Sequence, residues 1–203
     1  MKPVKIKSNL DLFDITWRII LRCNYDCWYC KTDWHTKNEG DIEDVNKLIK
    51  GADKIIDAYK QIDPNKQIRM TITGGEPFLV KDLDVLITHL VSRDVHFRIR
   101  TNGTGPVKVY KNMAKVMDKS NGEIMLSWHV SDPKSEDLYT KIPELVFQNV
   151  PVGVRLLGDQ KYGREVDRAE MFLRNVGIPF EMVRVDLCYQ NLPVTIIGMG
   201  AGA

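Results

Sequence analysis

Three of the four cysteines fall in one short run, Cys23-Asn24-Tyr25-Asp26-Cys27-Trp28-Tyr29-Cys30. The run follows directly on an apolar, β-branched segment that reads as a strand, so the thiols sit on a loop at that strand's C-terminal end. Thiols at C-x-x-x-C-x-x-C spacing can turn together to one side. Iron–sulfur clusters are held by such cysteine sulfurs, and three ligands leave one iron of a four-iron cube open. A structural zinc site is the competing reading, because His35 follows Cys30 closely and would complete a set of three cysteines and one histidine. Ordinary buried thiols fit less well, since the cluster has charged neighbours. Clustered cysteines in a short stretch serve metal or redox chemistry more readily than a disulfide framework.

A second stretch with chemical content is Thr73-Gly74-Gly75-Glu76-Pro77. Two glycines permit close backbone approach and unusual dihedrals, and the carboxylate and proline fix an anchoring turn, so a polar ligand can sit there. The same residues also describe a plain strand-to-helix turn. Further on, Arg100-Thr101-Asn102-Gly103 and Ser127-Trp128-His129 end two more strand-like runs. Asn-Gly is a common turn, and a single histidine without a visible partner is as readily structural as functional.

The elements that must position these groups alternate between strand and helix. Strands are expected over residues 13–21, 67–73, 96–101, 123–129, 151–157 and 180–186. Between the first two, Ile42, Val45, Leu48, Ile49, Ala52, Ile55, Ile56 and Tyr59 recur at helical steps, with Asp41 as N-cap and Asp63-Pro64-Asn65 as the stop. Leu83, Leu86, Ile87 and Leu90 mark a second helix, and Val109, Met113 and Val116 or Met117 a third. Residues 133–147 read as helical with weak periodicity; Val166, Ala169, Phe172, Leu173 and Val176 form a last stripe closed by Gly177 and Pro179. Six βα units without a seventh or eighth predict an α/β fold, an open, partial (β/α)6 TIM-like barrel of parallel strands, with its chemistry at the C-terminal strand ends.

With 203 residues and 43% hydrophobic content the chain can bury one core. The expected division is an N-terminal segment 1–12, a core domain 13–187 and a tail 188–203 that reads as cut short, its last stretch, residues 198–203, as disordered or a truncation scar. Twenty-nine Lys and Arg stand against 27 Asp and Glu, which gives no general reason to bind nucleic acid or an anionic membrane. An RNA-binding zinc protein, suggested by Trp28, Tyr29 and Trp34 beside the cysteines, is disfavoured by that balance. No run approaches the roughly 20 apolar residues of a membrane span, and the N-terminus lacks a signal-peptide core, so a cytoplasmic protein is expected. Cys188, the fourth cysteine, reads as a lone buried thiol.

Taken in order, the cysteine run with Tyr29 before its last cysteine, Gly74-Gly75-Glu76-Pro77 at the next strand end, and Thr101-Asn102-Gly103 at the one after resemble the motifs of the radical S-adenosylmethionine (SAM) superfamily. The resemblance spans about residues 13–187. It implies a [4Fe-4S] cluster on Cys23, Cys27 and Cys30, with SAM chelating the fourth iron. It places Tyr29 near the adenine and Gly74, Gly75, Glu76 and Pro77 at the methionine amino group, with Asn102 at the corresponding strand end. Ser127 falls at the ribose or carboxylate, Arg155 at the carboxylate, and backbone atoms of Met182–Val185 at the adenine. His129 faces either the substrate or only its own structural neighbours.

The implied activity is reductive cleavage of SAM to a 5′-deoxyadenosyl radical that abstracts hydrogen from a small molecule, a peptide or a protein side chain. The electron would come from a reductant such as flavodoxin or ferredoxin. An inactive or incomplete binding module on the same fold is the alternative. The motifs name no substrate and no catalytic residue beyond cofactor binding.

Overall fold

The computed structural model describes residues 12–30, 44–117, 122–158, 160–184 and 196–200. Strand β1 (Leu12–Ile20) leads through helix α1 (Val45–Ile62) to β2 (Gln67–Gly74). The chain continues as α2 (Leu83–Ser92), β3 (Val95–Thr101), α3 (Val107–Met117), β4 (Glu123–His129) and α4 (Leu138–Phe147). It ends in β5 (Gly153–Gly158), α5 (Gly163–Val176), β6 (Phe180–Arg184) and β7 (Ile196–Gly200).

The strands lie in one sheet in chain order, β1 to β7, and among the described residues the two edges do not pair. All neighbours from β1 to β6 are parallel, and β7 runs antiparallel to β6. This is the open partial barrel expected from six βα units. The seventh strand corrects the reading of the tail: Ile196–Gly200 pairs along β6. His35, Asp41, Ile42 and Cys188 lie outside the described residues.

The helices form where apolar side chains recur at three- and four-residue steps. On α1, Leu48, Ala52 and Ile56 face the core, and Asp44 caps the helix by accepting a hydrogen bond from the Asn46 backbone N–H. The cap is thus Asp44 rather than Asp41, one turn later than the apolar pattern alone suggests. Asp63 ends α1, its N–H donating to the Tyr59 carbonyl. Gly177 ends α5 in the left-handed conformation, with φ +72°. The weak periodicity of 133–147 has a physical cause: a 3-10 turn at Pro133–Asp137 precedes α4, and Pro143 interrupts α4's hydrogen bonds.

Strand alternation sorts the sheet into two unlike faces. Ile68, Met70 and Ile72 of β2, Val95, Phe97 and Ile99 of β3, Ile124, Leu126 and Trp128 of β4, and Val154 and Leu156 of β5 are all 1% exposed or less. They share one core with Leu48, Leu86, Leu90, Tyr110, Met113 and Leu173 from the helices. The alternate residues carry charge. Asp14 pairs with Arg69, Arg98 with Glu123 (2.7 Å) and Arg155 with Glu181, each between residues directly opposite on adjacent strands. Among the described residues no helix is long and apolar enough to cross a membrane.

Candidate active site

The cysteine loop leaves β1 at Ile20 and is clamped at once by the end of β2. Gly75 N–H donates to the Ile20 carbonyl and Glu76 N–H to the Arg22 carbonyl, both at 2.9 Å. A Cβ added at Gly74 would lie 1.9 Å from the Ile20 oxygen, and one at Gly75 would lie 2.0 Å from the Arg22 oxygen; Gly74 also has φ +138°. The close approach that the two glycines permit is therefore made, in the first place, to the protein's own cysteine loop. On the far side, Asp26 N–H donates to Asp132 Oδ2 (3.2 Å) and Lys134 Nζ to the Asn24 carbonyl (2.5 Å), which ties the loop to the exit of β4. Buried Tyr25 anchors its middle, and Cys30 N–H closes a turn onto the Cys27 carbonyl at 2.9 Å.

Glu76 is fully buried and lies behind the site. Its carboxylate accepts from Thr101 Oγ1 (2.7 Å), Asn102 N–H (2.7 Å) and Phe78 N–H (2.9 Å), joining the end of β2 to the turn after β3. Burial pushes its carboxyl up to about 7, while the three donors pull the other way. Asn102, positioned by that anchor, donates from Nδ2 to Asn24 Oδ1 at 2.8 Å and lies 3.9 Å from Cys23 Sγ.

A cavity of about 310 Å³ opens at the C-terminal ends of β2 to β5. Cys23, Cys27 and Cys30 line one part of it, with Tyr29, Gly74, Gly75, Asn102, Ser127 and Arg155 around them. The structure thus brings together nine of the residues singled out in the sequence. Glu76 and Pro77 are not on the cavity wall, because both are buried beneath the turn. In this arrangement the Glu76 carboxylate holds the end of β2 to Thr101 and Asn102. Met182 and Val183 lie on β6 away from the cavity wall, and residue 185 is outside the described residues.

His129 lies at the rim with its Nδ1 3.3 Å from Cys27 Sγ and 2.5 Å from Tyr29 Oη, and its ring is nearly parallel to that of Tyr29. Burial depresses its imidazole to about 4, so at neutral pH it is an uncharged hydrogen-bonding group. Arg100 is a cavity residue that the sequence reading passed over in favour of the Thr-Asn-Gly after it. The signal was present in the strand alternation of Arg98 and Arg100 opposite buried Phe97, Ile99 and Thr101.

The thiols fit a metal cluster by their chemistry. Burial raises Cys23 and pushes Cys27 up to about 12, so these two thiols keep their protons until a cationic centre displaces them. Among the described residues no three His, Cys, Asp or Glu side chains converge as a single-ion site requires. Cys23, Cys27 and Cys30 line one cavity, as the ligands of a cluster do.

Known proteins agree with this geometry. Over 135 residues the chain is 25% identical to a probable GTP 3′,8-cyclase of Pyrobaculum aerophilum, covering 65% of this chain and 39% of that protein. Over 85 residues it is 33% identical to a 7-carboxy-7-deazaguanine synthase of Halobacterium salinarum, covering 40% of this chain and 29% of the relative. The chain therefore spans well under half the length of these relatives. Among solved structures, SuiB of Streptococcus suis bound to S-adenosylmethionine superposes with a TM-score of 0.62 at 14% identity, over 85% of this chain and 40% of that one. This last likeness is one of fold. The family model of the Radical SAM superfamily, whose cofactors are a [4Fe-4S] cluster and SAM, matches residues 17–147, from β1 to the end of α4. By its cysteine loop, its glycine clamp and that match, the chain belongs to the Radical SAM superfamily.

Proposed function

We propose that this chain is the core of an enzyme that cleaves SAM reductively and uses the product to take hydrogen from an organic substrate. The observation that carries the reading is the single cavity lined by Cys23, Cys27 and Cys30 together with Gly74, Gly75, Ser127 and Arg155. A [4Fe-4S] cluster and SAM held here would supply one-electron cleavage of the SAM C–S bond to methionine and a 5′-deoxyadenosyl radical able to abstract hydrogen. Cys23, Cys27 and Cys30 hold the cluster. The strand end at Gly74–Gly75 presents backbone groups to the methionine amino end, and Ser127 supplies a hydroxyl to the ribose or carboxylate. Arg155, whose Nε donates to Glu181, is oriented by that pair toward the SAM carboxylate. Tyr29 offers a ring beside the adenine, and Asn102 supports the loop under Cys23.

The single-electron demand calls for a small redox protein such as flavodoxin or ferredoxin as partner. A SuiB structure contains a precursor peptide, SuiA, which makes a peptide one substrate class to test beside small molecules. The deciding experiment is anaerobic reconstitution with iron and sulfide, followed by dithionite reduction with SAM. 5′-Deoxyadenosine is quantified against a variant with Cys23, Cys27 and Cys30 all changed to alanine. Formation only with the intact cysteines is expected. A cluster that assembles without cleavage would instead favour a binding module, and zinc without labile sulfide would end the radical reading.

A further inference from the structure

Three arginines on the charged face of the sheet are held by carboxylates across strands. Arg69, Arg98 and Arg155 each hold a carboxylate on the neighbouring strand: Asp14, Glu123 and Glu181. Arg100, in the same cavity as the thiols, has neither a hydrogen bond nor an ion pair among the described residues. Partial burial strips its water and Arg155 and Arg98 repel it, which together outweigh the attraction of Glu123 and Glu181 and depress its pKa. A guanidinium in this setting is suited to a ligand that brings its own negative charge in planar, two-pronged form.

Its depth separates it from the cluster loop. The thiols lie past the end of β1, and Asn102 already reaches toward Cys23 at the top of β3. Arg100 is two residues back along β3, opposite Met125, whereas Ser127 and Arg155 are paired with each other nearer the strand ends. At about 3.3 Å per residue, that sets the Arg100 backbone about 6.6 Å further down the strand than Asn102. Arg155, already steadied by Glu181, is the cation nearer the rim; Arg100 serves what lies deeper.

Building on the radical SAM reading, we propose that Arg100 receives a carboxylate or phosphate group of the substrate and so selects for anionic substrates. The test uses the anaerobically reconstituted protein saturated with SAM, probed with inorganic phosphate and with malonate, each against potassium chloride at equal ionic strength. Thermal stability reports anion binding, and equilibrium dialysis reports SAM binding. In the intact protein one of the two anions raises Tm above the chloride control, and which one does so assigns the group as phosphate or carboxylate.

Arg100→Gln abolishes that rise, Arg100→Lys keeps part of it, and SAM binding in both stays within about twofold of the intact protein, a small effect on the affinity scale. A rise that survives in Arg100→Gln overturns the proposal, as does no rise with either anion in the intact protein. A loss of SAM affinity of about tenfold or more in both variants would assign Arg100 to the SAM carboxylate instead. The Arg100→Lys arm also keeps the test alive if the glutamine variant fails to fold. Failure of the underlying radical reading would show separately, as absence of deoxyadenosine from the intact protein.

Discussion

Neighbouring residues on one strand obey opposite rules. On β4, Leu126 and Trp128 are buried under helices α4 and α5, while Ser127 and His129 point into the cavity. The same division runs through β2, β3 and β5. On the helix side, burial of apolar surface holds the sheet in shape, at roughly 25 cal/mol per Å². On the cavity side, partly exposed ion pairs between strands contribute little to stability, and the side chains remain available for binding. The comparison teaches that stability and chemistry in this protein are carried by different residues one step apart, and that the glycine clamp is where the two meet.

The strongest way to break this division is at the clamp. Gly75→Ala places a methyl 2.0 Å from the Arg22 carbonyl oxygen, which is backbone and cannot turn aside. The variant is expected to lose more than about 4 kcal/mol of stability or to displace the cysteine loop. Denaturant unfolding measures the first outcome, and failure to develop cluster absorbance on reconstitution measures the second. A stable variant with a normal cluster would show that the loop does not depend on this approach.

Contrasting the faces gives the next effect. Trp128, in edge contact with Tyr139 and Phe172, should cost about 3–5 kcal/mol when changed to alanine. Glu123→Gln, which breaks the half-exposed pair with Arg98, should stay within about 1 kcal/mol. Equal losses in the two would erase the distinction between faces.

Glu76 sharpens the comparison through pH. Its carboxyl lies at about 7 when folded, above the ordinary glutamate value of 4.5 that applies when unfolded. The folded state therefore binds the proton more tightly. Its contribution is fully present below pH 4.5 and is lost as pH rises through 7, a change of up to about 3 kcal/mol. Unfolding free energies of the intact protein and Glu76→Gln, measured from pH 4.5 to 8, should diverge in slope over that window. Parallel curves would mean that the hydrogen bonds from Thr101, Asn102 and Phe78 hold the ionised form as well as water does.

Much of the molecule was legible because short-range chemistry determines it. The succession of apolar and β-branched runs located β4 at residues 123–129, and helical steps found the buried residues of α2 and α5. The position of the cysteine run directly after a strand-like segment placed the loop at the end of β1, and nine predicted residues share one cavity. The N-cap of α1 was misplaced, because Asp41 and Asp44 are equally good cap residues and only the fold selects between them. Nor did composition announce β7, in which Gly198 and Gly200 weaken the strand signal until β6 offers an edge to pair with.

By itself, then, the sequence determined the succession of βα units, the loop that carries the thiols and the family to which they belong, since these depend on residue type and spacing along the chain. Only the tertiary structure decided that Glu76 lies buried behind the cavity holding Thr101 and Asn102, that the two glycines admit the backbone of Ile20 and Arg22, and that among the described residues Arg100 makes no ion pair while Arg69, Arg98 and Arg155 do. Those facts depend on which residues of separate strands come face to face, and pairing across strands is fixed by the register and closure of the whole sheet rather than by any local run of residues.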